Sequence, residues 1–275
     1  MASSSGGRQA LTHFLAIPLA ASPAARAQLS RSVAAFRADA TAPHASGGFG
    51  FPADAVRPPG TLHLTLGVMS LSGGGGGEGE EGGGGGSLAK AVALLRSLEL
   101  KEMLAAARAG GGGGGGGAGE EGPLVVRLRG LRTMRDGDAA RAAVMYAAPG
   151  PEQPLGRFCE GVLAAFVREG LVRDEGRPLL LHATVVNTVY CKGSGKRGGG
   201  RGGKRGGGGG GGRMTLDARG ALERYADYDW AGGADIVLDR LAIYRFGAKG
   251  VRRDNGGGEG MEEDAAYEVV AEVEI

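Results

Sequence analysis

Residues 57–71 read Arg57-Pro58-Pro59-Gly60-Thr61-Leu62-His63-Leu64-Thr65-Leu66-Gly67-Val68-Met69-Ser70-Leu71, and residues 181–190 read Leu181-His182-Ala183-Thr184-Val185-Val186-Asn187-Thr188-Val189-Tyr190. Each holds one H-x-T triplet in an apolar run of strand length. In a strand, residues two apart share a face, so His63 projects with Thr65 and His182 with Thr184. Leu62, Leu64, Leu66 and Val68 point the other way in the first run, as do Leu181, Ala183 and Val185 in the second. That apolar side has to be covered by a helix layer. Both segments therefore predict strands buried on one face that present an imidazole and a hydroxyl on the other.

Outward from these two runs the periodicities repeat. Before the first lie a strand candidate at 12–19 and a helical stretch at 24–38. After it come an amphipathic helix at 88–107, a half-exposed strand at 124–131 and a strand at 142–147. A second cycle follows: helix at 155–169, the His182 strand at 179–190, a short helix at 217–225 with Asp217 as N-cap, and strands at 236–246 and 267–275. This near-duplication predicts an α+β protein of two lobes, two facing antiparallel sheets with outer helices, each lobe giving one strand to a central groove.

Of 275 residues, 58 are glycine. Low-complexity stretches at about 72–86, 110–122, 193–212 and 254–260 carry too few side chains to join a core and are expected to be disordered inserts, as are residues 1–10. About 200 residues remain, enough for a single domain spanning 11–275. Residues 198–204 imitate the start of a phosphate-binding P-loop, but Arg205 stands where Ser or Thr should bind magnesium, and no strand or helix brackets the segment. The net charge of +2 excludes a global attraction to nucleic acid. Cys159 and Cys191 lack metal-type spacing and fit a reducing compartment, nucleus or cytoplasm. Residues 11–27 imitate a signal peptide, but Arg8 alone forms the basic region and His13 and Pro18 interrupt the apolar run, so a first strand is the better reading. No run is long and apolar enough to span a bilayer, and no membrane partner is expected.

Two imidazoles suit phosphoester chemistry. A neutral one takes a proton from the attacking hydroxyl or water while a protonated one donates to the leaving oxygen, each with a pKa near the working pH. Threonine hydroxyls can donate to the non-bridging oxygens where charge builds up. No metal or other cofactor is needed for this division of labour. A lone strand histidine is more often structural; two H-x-T copies on two apolar strands, in a chain with four histidines, are a better signal, which by pattern alone leaves the functional and structural readings level.

The 57–71 segment resembles the first motif of the two-histidine (2H) phosphoesterases. It is especially similar to the branch holding the 2′,5′ RNA ligase-like domains of A-kinase anchoring proteins and of activating signal cointegrator complex subunit 1. Residues 181–190 resemble that branch's second motif, Thr12-His-Phe-Leu-Ala-Ile-Pro-Leu19 its opening strand, and 217–230 its short helix and following turn. The resemblance implies the bilobal 2H fold, with His63, Thr65, His182 and Thr184 in the catalytic positions. It does not extend to the KH domain that precedes this region in the cointegrator subunit, since residues 1–10 alone stand before the first strand. Nor does it include the regulatory-subunit-binding helix of the anchoring proteins.

Other residues carry weaker expectations. Thr188 and Tyr190 share the His182 face by period-2 counting and are expected to line the groove, with Tyr190 stacking on a base or packing at the strand end. Phe14 is a lesser stacking candidate. His13 and His44 belong to no repeated motif and are expected to be structural or solvent-exposed. Lys192, Lys196, Arg197, Arg201, Lys204, Arg205 and Arg213 form a basic, Gly-rich loop, either a gatherer of RNA phosphate, a nuclear-localisation signal or a solvated linker.

The expected activity is metal-independent cleavage of 2′,5′- or 2′,3′-cyclic-type phosphodiesters in RNA or a nucleotide by a monomeric protein. The alternatives are a nucleotide- or RNA-binding module without turnover, and a subunit of a transcription-coactivator or DNA-repair complex with helicase-type partners.

Overall fold

The computed structural model describes residues 10–72, 86–110, 122–134, 138–150, 154–191, 213–254 and 261–275. The apolar run at 12–19 folds as strand β1 (His13–Pro18), buried along nearly all its length. It lies between β2 (His63–Met69) and β8 (Arg240–Asp254), antiparallel to both, and β9 (Met261–Glu274) pairs with β8 to complete one half. The other half is β4 (Leu128–Thr133), β5 (Val144–Pro149) and β6 (Ala183–Asn187), also antiparallel. The halves meet where Leu64 of β2 pairs with Ala183 of β6, giving one seven-stranded sheet in the order β4-β5-β6-β2-β1-β8-β9. The expected α+β arrangement with antiparallel strands is present, but the two facing sheets expected are two halves of one continuous sheet, because the histidine strands pair edge to edge. β3 (Leu124–Val126) and β7 (Ile236–Leu238) form a separate two-stranded ribbon, so the stretches at 124–131 and 236–246 each serve two sheets.

Helices cover the apolar side. In α1 (Pro23–Thr41) the Ser22 hydroxyl accepts a hydrogen bond from the Ala25 amide at 3.2 Å, and Pro23 supplies a pre-set φ in the first turn. Leu29, Val33, Phe36 and Ala40 form its buried stripe at three- and four-residue spacing. α4 (Leu155–Arg168) buries Leu155, Phe158, Cys159, Val162, Ala165 and Phe166. The stretch at 88–107, expected as one helix, is two: α2 (Ser87–Ser97) and α3 (Leu100–Ala109), broken at Leu98 with extended φ −72°, ψ 126°. α2 packs on β9 and α3 on α4, so the apolar stripe turns a corner between two surfaces. In α5 (Arg219–Arg224) Asp217 still accepts from the Arg219 amide at 3.2 Å, one position ahead of the N-cap Ala218. Cys159 and Cys191 are both buried. Among the described residues no helix is long and apolar enough to cross a membrane.

Each histidine strand carries a β-bulge directly after its H-x-T triplet. Along β1·β2, Ala16 pairs with Thr65 and Leu15 with Gly67, leaving Leu66 as the extra residue. Along β5·β6, Tyr146 pairs with Thr184 and Met145 with Val186, leaving Val185. The bulge corrects one expectation. Val68 does not share the helix side with Leu62, Leu64 and Leu66; parity flips at the bulge, and Val68 packs with Phe14, Ala16, Ala242 and Tyr244 on the other face. Gly67 now points at the helix layer, where a Cβ would meet Val172 at 2.9 Å and Leu163 at 3.3 Å, which explains the glycine.

Candidate active site

The Leu64–Ala183 pair sets the geometry of the two triplets. Continuing that antiparallel register brings His63 across from Thr184 and Thr65 across from His182. Directly opposite residues have Cβ atoms about 5 Å apart, and diagonal neighbours such as the two histidines about 7–8 Å, enough to admit a phosphate between the rings. The burial pattern agrees with a shared polar face: His63, Thr65, His182 and Thr184 are partly exposed, whereas Leu62, Leu64, Leu66, Ala183 and Val185 are in the core. Neither threonine hydroxyl has a protein hydrogen-bond partner among the described residues.

The imidazoles are held alike. Nδ1 of His63 is 2.7 Å from the Thr61 carbonyl and Nδ1 of His182 is 2.9 Å from the Leu180 carbonyl, two residues back in each case. A carbonyl only accepts, so Nδ1 carries the proton in both neutral rings and Nε2 presents its lone pair. Burial drives the His63 pKa down to about 4, against the pull of the Thr61 carbonyl and helped by the charges of His182 and Arg57. Burial also lowers His182, which is less enclosed, and its carbonyl bond pulls back. Both rings are therefore neutral near pH 7 in the free protein.

Aromatic rings wall each imidazole. Phe14, from β1, sits 4.9 Å from His63, and Tyr267, from β9, meets it edge-on at 5.4 Å. Tyr146, from β5, meets His182 edge-on at 5.5 Å. The Thr61 carbonyl that orients His63 belongs to a 3-10 turn, Pro59–Thr61, pinned to β9: Asp264 accepts from the Gly60 amide at 2.9 Å and pairs with Arg26 at 2.8 Å. A Cβ at Gly60 would lie 2.6 Å from the Ala265 carbonyl oxygen, so the turn needs glycine for close approach. A cavity of about 220 Å³ opens beside His63, lined by Pro18, Gly60, Thr61, Tyr244 and Tyr267 among others. A larger cleft of about 710 Å³, at Phe49, Asp217, Arg219 and Arg224, is remote in character: its arginines already pair with Asp217 and Asp39.

Of the expected substrate-binding residues, only Tyr190 keeps an open ring, 41% exposed. Thr188 does not line the groove. β6 ends at Asn187, whose side chain accepts from the Val189 amide at 3.1 Å and starts a 3-10 turn, Thr188–Tyr190. Thr188 is thereby fully buried and donates to the Met214 carbonyl at 2.7 Å. Phe14 is 2% exposed among His63, Tyr244, Phe246 and Tyr267, so it supports the imidazole and offers no face to a base. His13 is buried, with Nδ1 2.8 Å from the Thr12 hydroxyl, and His44 is exposed. In the basic loop, Lys192, Lys196, Arg197, Arg201, Lys204 and Arg205 lie outside the described residues; Arg213 contacts the Asn187 side chain. Missed from sequence were Tyr146, Tyr267, Asp264 and the side chain of Arg57. The first three come from strands remote in sequence from the histidines they support, and no local pattern marks them.

The family described as the AKAP7 2′5′ RNA ligase-like domain matches residues 117–250, which contain the His182 strand; the His63 strand precedes the match. An uncharacterized protein of Schizosaccharomyces pombe is 28% identical over 109 residues, 40% of this chain and 43% of that protein, so the match spans less than half the length of the curated relative. A crystal structure described as a phosphoesterase aligns at 14% identity over 96% of this chain and 98% of its own, with a TM-score of 0.44. Escherichia coli LigT, complexed with 3′-AMP, aligns at 14% identity over 96% and 98%, with a TM-score of 0.42. Over residues 117–250, then, this chain is similar to the AKAP7 2′5′ RNA ligase-like domains.

Proposed function

We propose that the protein is a phosphodiesterase that hydrolyses 2′,5′- or 2′,3′-cyclic-type phosphodiesters of RNA or nucleotides in the groove between His63 and His182. The Leu64–Ala183 register carries this reading, because it sets two imidazoles diagonally with a threonine hydroxyl opposite each. His63, kept neutral by its surroundings, is the general base: its Nε2 takes a proton from the attacking water. His182, the less enclosed ring, takes up a proton when an anionic phosphate enters and delivers it from Nε2 to the leaving oxygen. Thr65 and Thr184 donate to the non-bridging oxygens. After one turnover His63 holds the proton and His182 has lost its own, and exchange with solvent restores both. Tyr190 offers its open ring to a base beside the phosphate. All of this is done by protein groups, so turnover is expected to survive EDTA.

The test is a panel of linear 2′,5′-linked, linear 3′,5′-linked and 2′,3′-cyclic substrates, with and without EDTA. Turnover of the 2′,5′ or cyclic substrate that disappears in His63→Ala and His182→Ala supports the proposal. Loss of activity on chelation, restored by a divalent ion, overturns the metal-independent mechanism. Tight nucleotide binding with no turnover of any substrate would favour the binding-module alternative.

A further inference from the structure

Among the described residues Arg57 is the one buried arginine or lysine, 7% exposed. Two contacts fix where it sits. Val56 bridges to Val186, and the Arg57 amide donates to the Val185 carbonyl at 2.7 Å, so this segment is stapled to β6 although it leads into β2. Arg57 thus belongs to the seam between the two histidine strands. Its guanidinium carbon lies 3.6 Å over the centre of the Tyr190 ring, and Nη2 donates to the Tyr267 hydroxyl at 3.4 Å. Tyr267 in turn stands edge-on to His63, and the Arg57 charge is felt at that imidazole.

These partners are neutral. Burial holds the Tyr267 phenol up at about 12, so it supplies no negative charge near pH 7. No described carboxylate forms an ion pair with Arg57, whereas the buried carboxylate of the region, Asp264, is taken by Arg26. A buried cation with only neutral neighbours is unfavourable in the free protein. A guanidinium also has five N–H donors in a planar fork, most of them unused here. A cation kept in that condition beside the His63 imidazole is matched to an anion that arrives from outside.

We propose that Arg57 is the anion-binding residue of the groove, pairing with a non-bridging oxygen of the phosphate between His63 and His182 and linking that phosphate to Tyr190. This rests on the reading of the groove as a phosphodiester site. Arg57 lies over one face of Tyr190, which is still 41% exposed, so the preferred substrate carries a base on the Tyr190 side of its phosphate. Bare inorganic phosphate should feel Arg57 and be indifferent to Tyr190.

The experiment measures binding of inorganic phosphate by calorimetry, and turnover of a 2′,3′-cyclic nucleotide, for wild type, Arg57→Met, Arg57→Lys and Tyr190→Leu. Arg57→Met is expected to raise the Kd for phosphate at least about tenfold, as expected for losing a charge-assisted bond. Its melting temperature should not fall, because it removes a buried cation that lacks a counter-charge. Arg57→Lys keeps the charge but loses the fork, and should weaken binding by a smaller factor; this comparison stands even if Arg57→Met fails to fold. Tyr190→Leu should leave phosphate binding unchanged and raise KM for the nucleotide. Unchanged phosphate affinity in Arg57→Met, or wild-type affinity in Arg57→Lys, overturns the proposal. Arg57-dependent phosphate binding without any turnover would sink the phosphodiesterase reading and leave this one standing. Histidine-dependent turnover with phosphate binding indifferent to Arg57 would do the reverse.

Discussion

The two halves of the sheet present the same triplet in the same way, yet their histidines live in different surroundings. Each has a carbonyl two residues back on Nδ1, an aromatic ring from the neighbouring strand, and a bulge immediately after the threonine. The His63 half adds Tyr267, a cavity wall and the Arg57 charge, and its imidazole is pushed down to about 4. The His182 half lacks that enclosure, and its ring is lowered by burial alone. The repeated triplet therefore supplies the geometry, and the packing around its two copies is unequal. In the proposed mechanism the more enclosed ring is the base and the more open one the acid.

The largest expected effect tests whether both halves are needed. His63→Ala and His182→Ala should each lower kcat/KM about a hundredfold or more in hydrolysis assays. Equal retention of activity in either variant would make that half a bystander.

The next effect concerns the inequality itself. Because the folded pKa of His63 lies below its unfolded value of 6.5, the unfolded chain binds the proton more readily. The contribution is fully present above pH 6.5 and is lost as pH falls from 6.5 toward 4. Denaturant titrations of wild type against His63→Gln should show this loss, on the order of 2 kcal/mol given partial solvent screening of the ring. His182→Gln should change the same slope by less. Equal slopes for the two variants would remove the asymmetry.

A smaller effect sharpens the crosswise pairing. Thr65→Val and Thr184→Val should each reduce kcat/KM about tenfold, leaving the melting temperature nearly unchanged because neither hydroxyl bonds to another described residue. Gly60→Ala should act on one half alone: it disturbs the turn whose Thr61 carbonyl aims His63, and NMR of the ring nitrogens should show the Nδ1–H tautomer loosened at His63 and kept at His182.

Much of this arrangement was legible in the sequence because it rests on local periodicity. The 12–19 and 61–71 runs are strands, and 24–38 and 155–169 are helices, since their apolar residues recur at the period of the element they form. Where the reading failed, a non-local contact decided. The bulge after Thr65 turned Val68 to the opposite face, because pairing with β1 skips a residue there. The Asn187 side chain ended β6 and buried Thr188 where alternation predicted a groove position. Phe14 was read as a base platform, but β8 and β9 close over it. Arg57 was visible as part of a motif; its position over Tyr190 depends on how 56–57 is stapled to a strand more than a hundred residues away.

In the proposed mechanism His63 and His182 act as one acid–base unit across the Leu64–Ala183 seam. The direct test is kcat/KM for the His63→Ala, His182→Ala double variant beside the two single variants, on the best 2′,5′-linked or 2′,3′-cyclic substrate. Groups that work as a unit are non-additive, so the double variant should fall within a few-fold, roughly threefold, of the worse single one. Losses that multiply, with each histidine contributing its full factor in the other's absence, would contradict it.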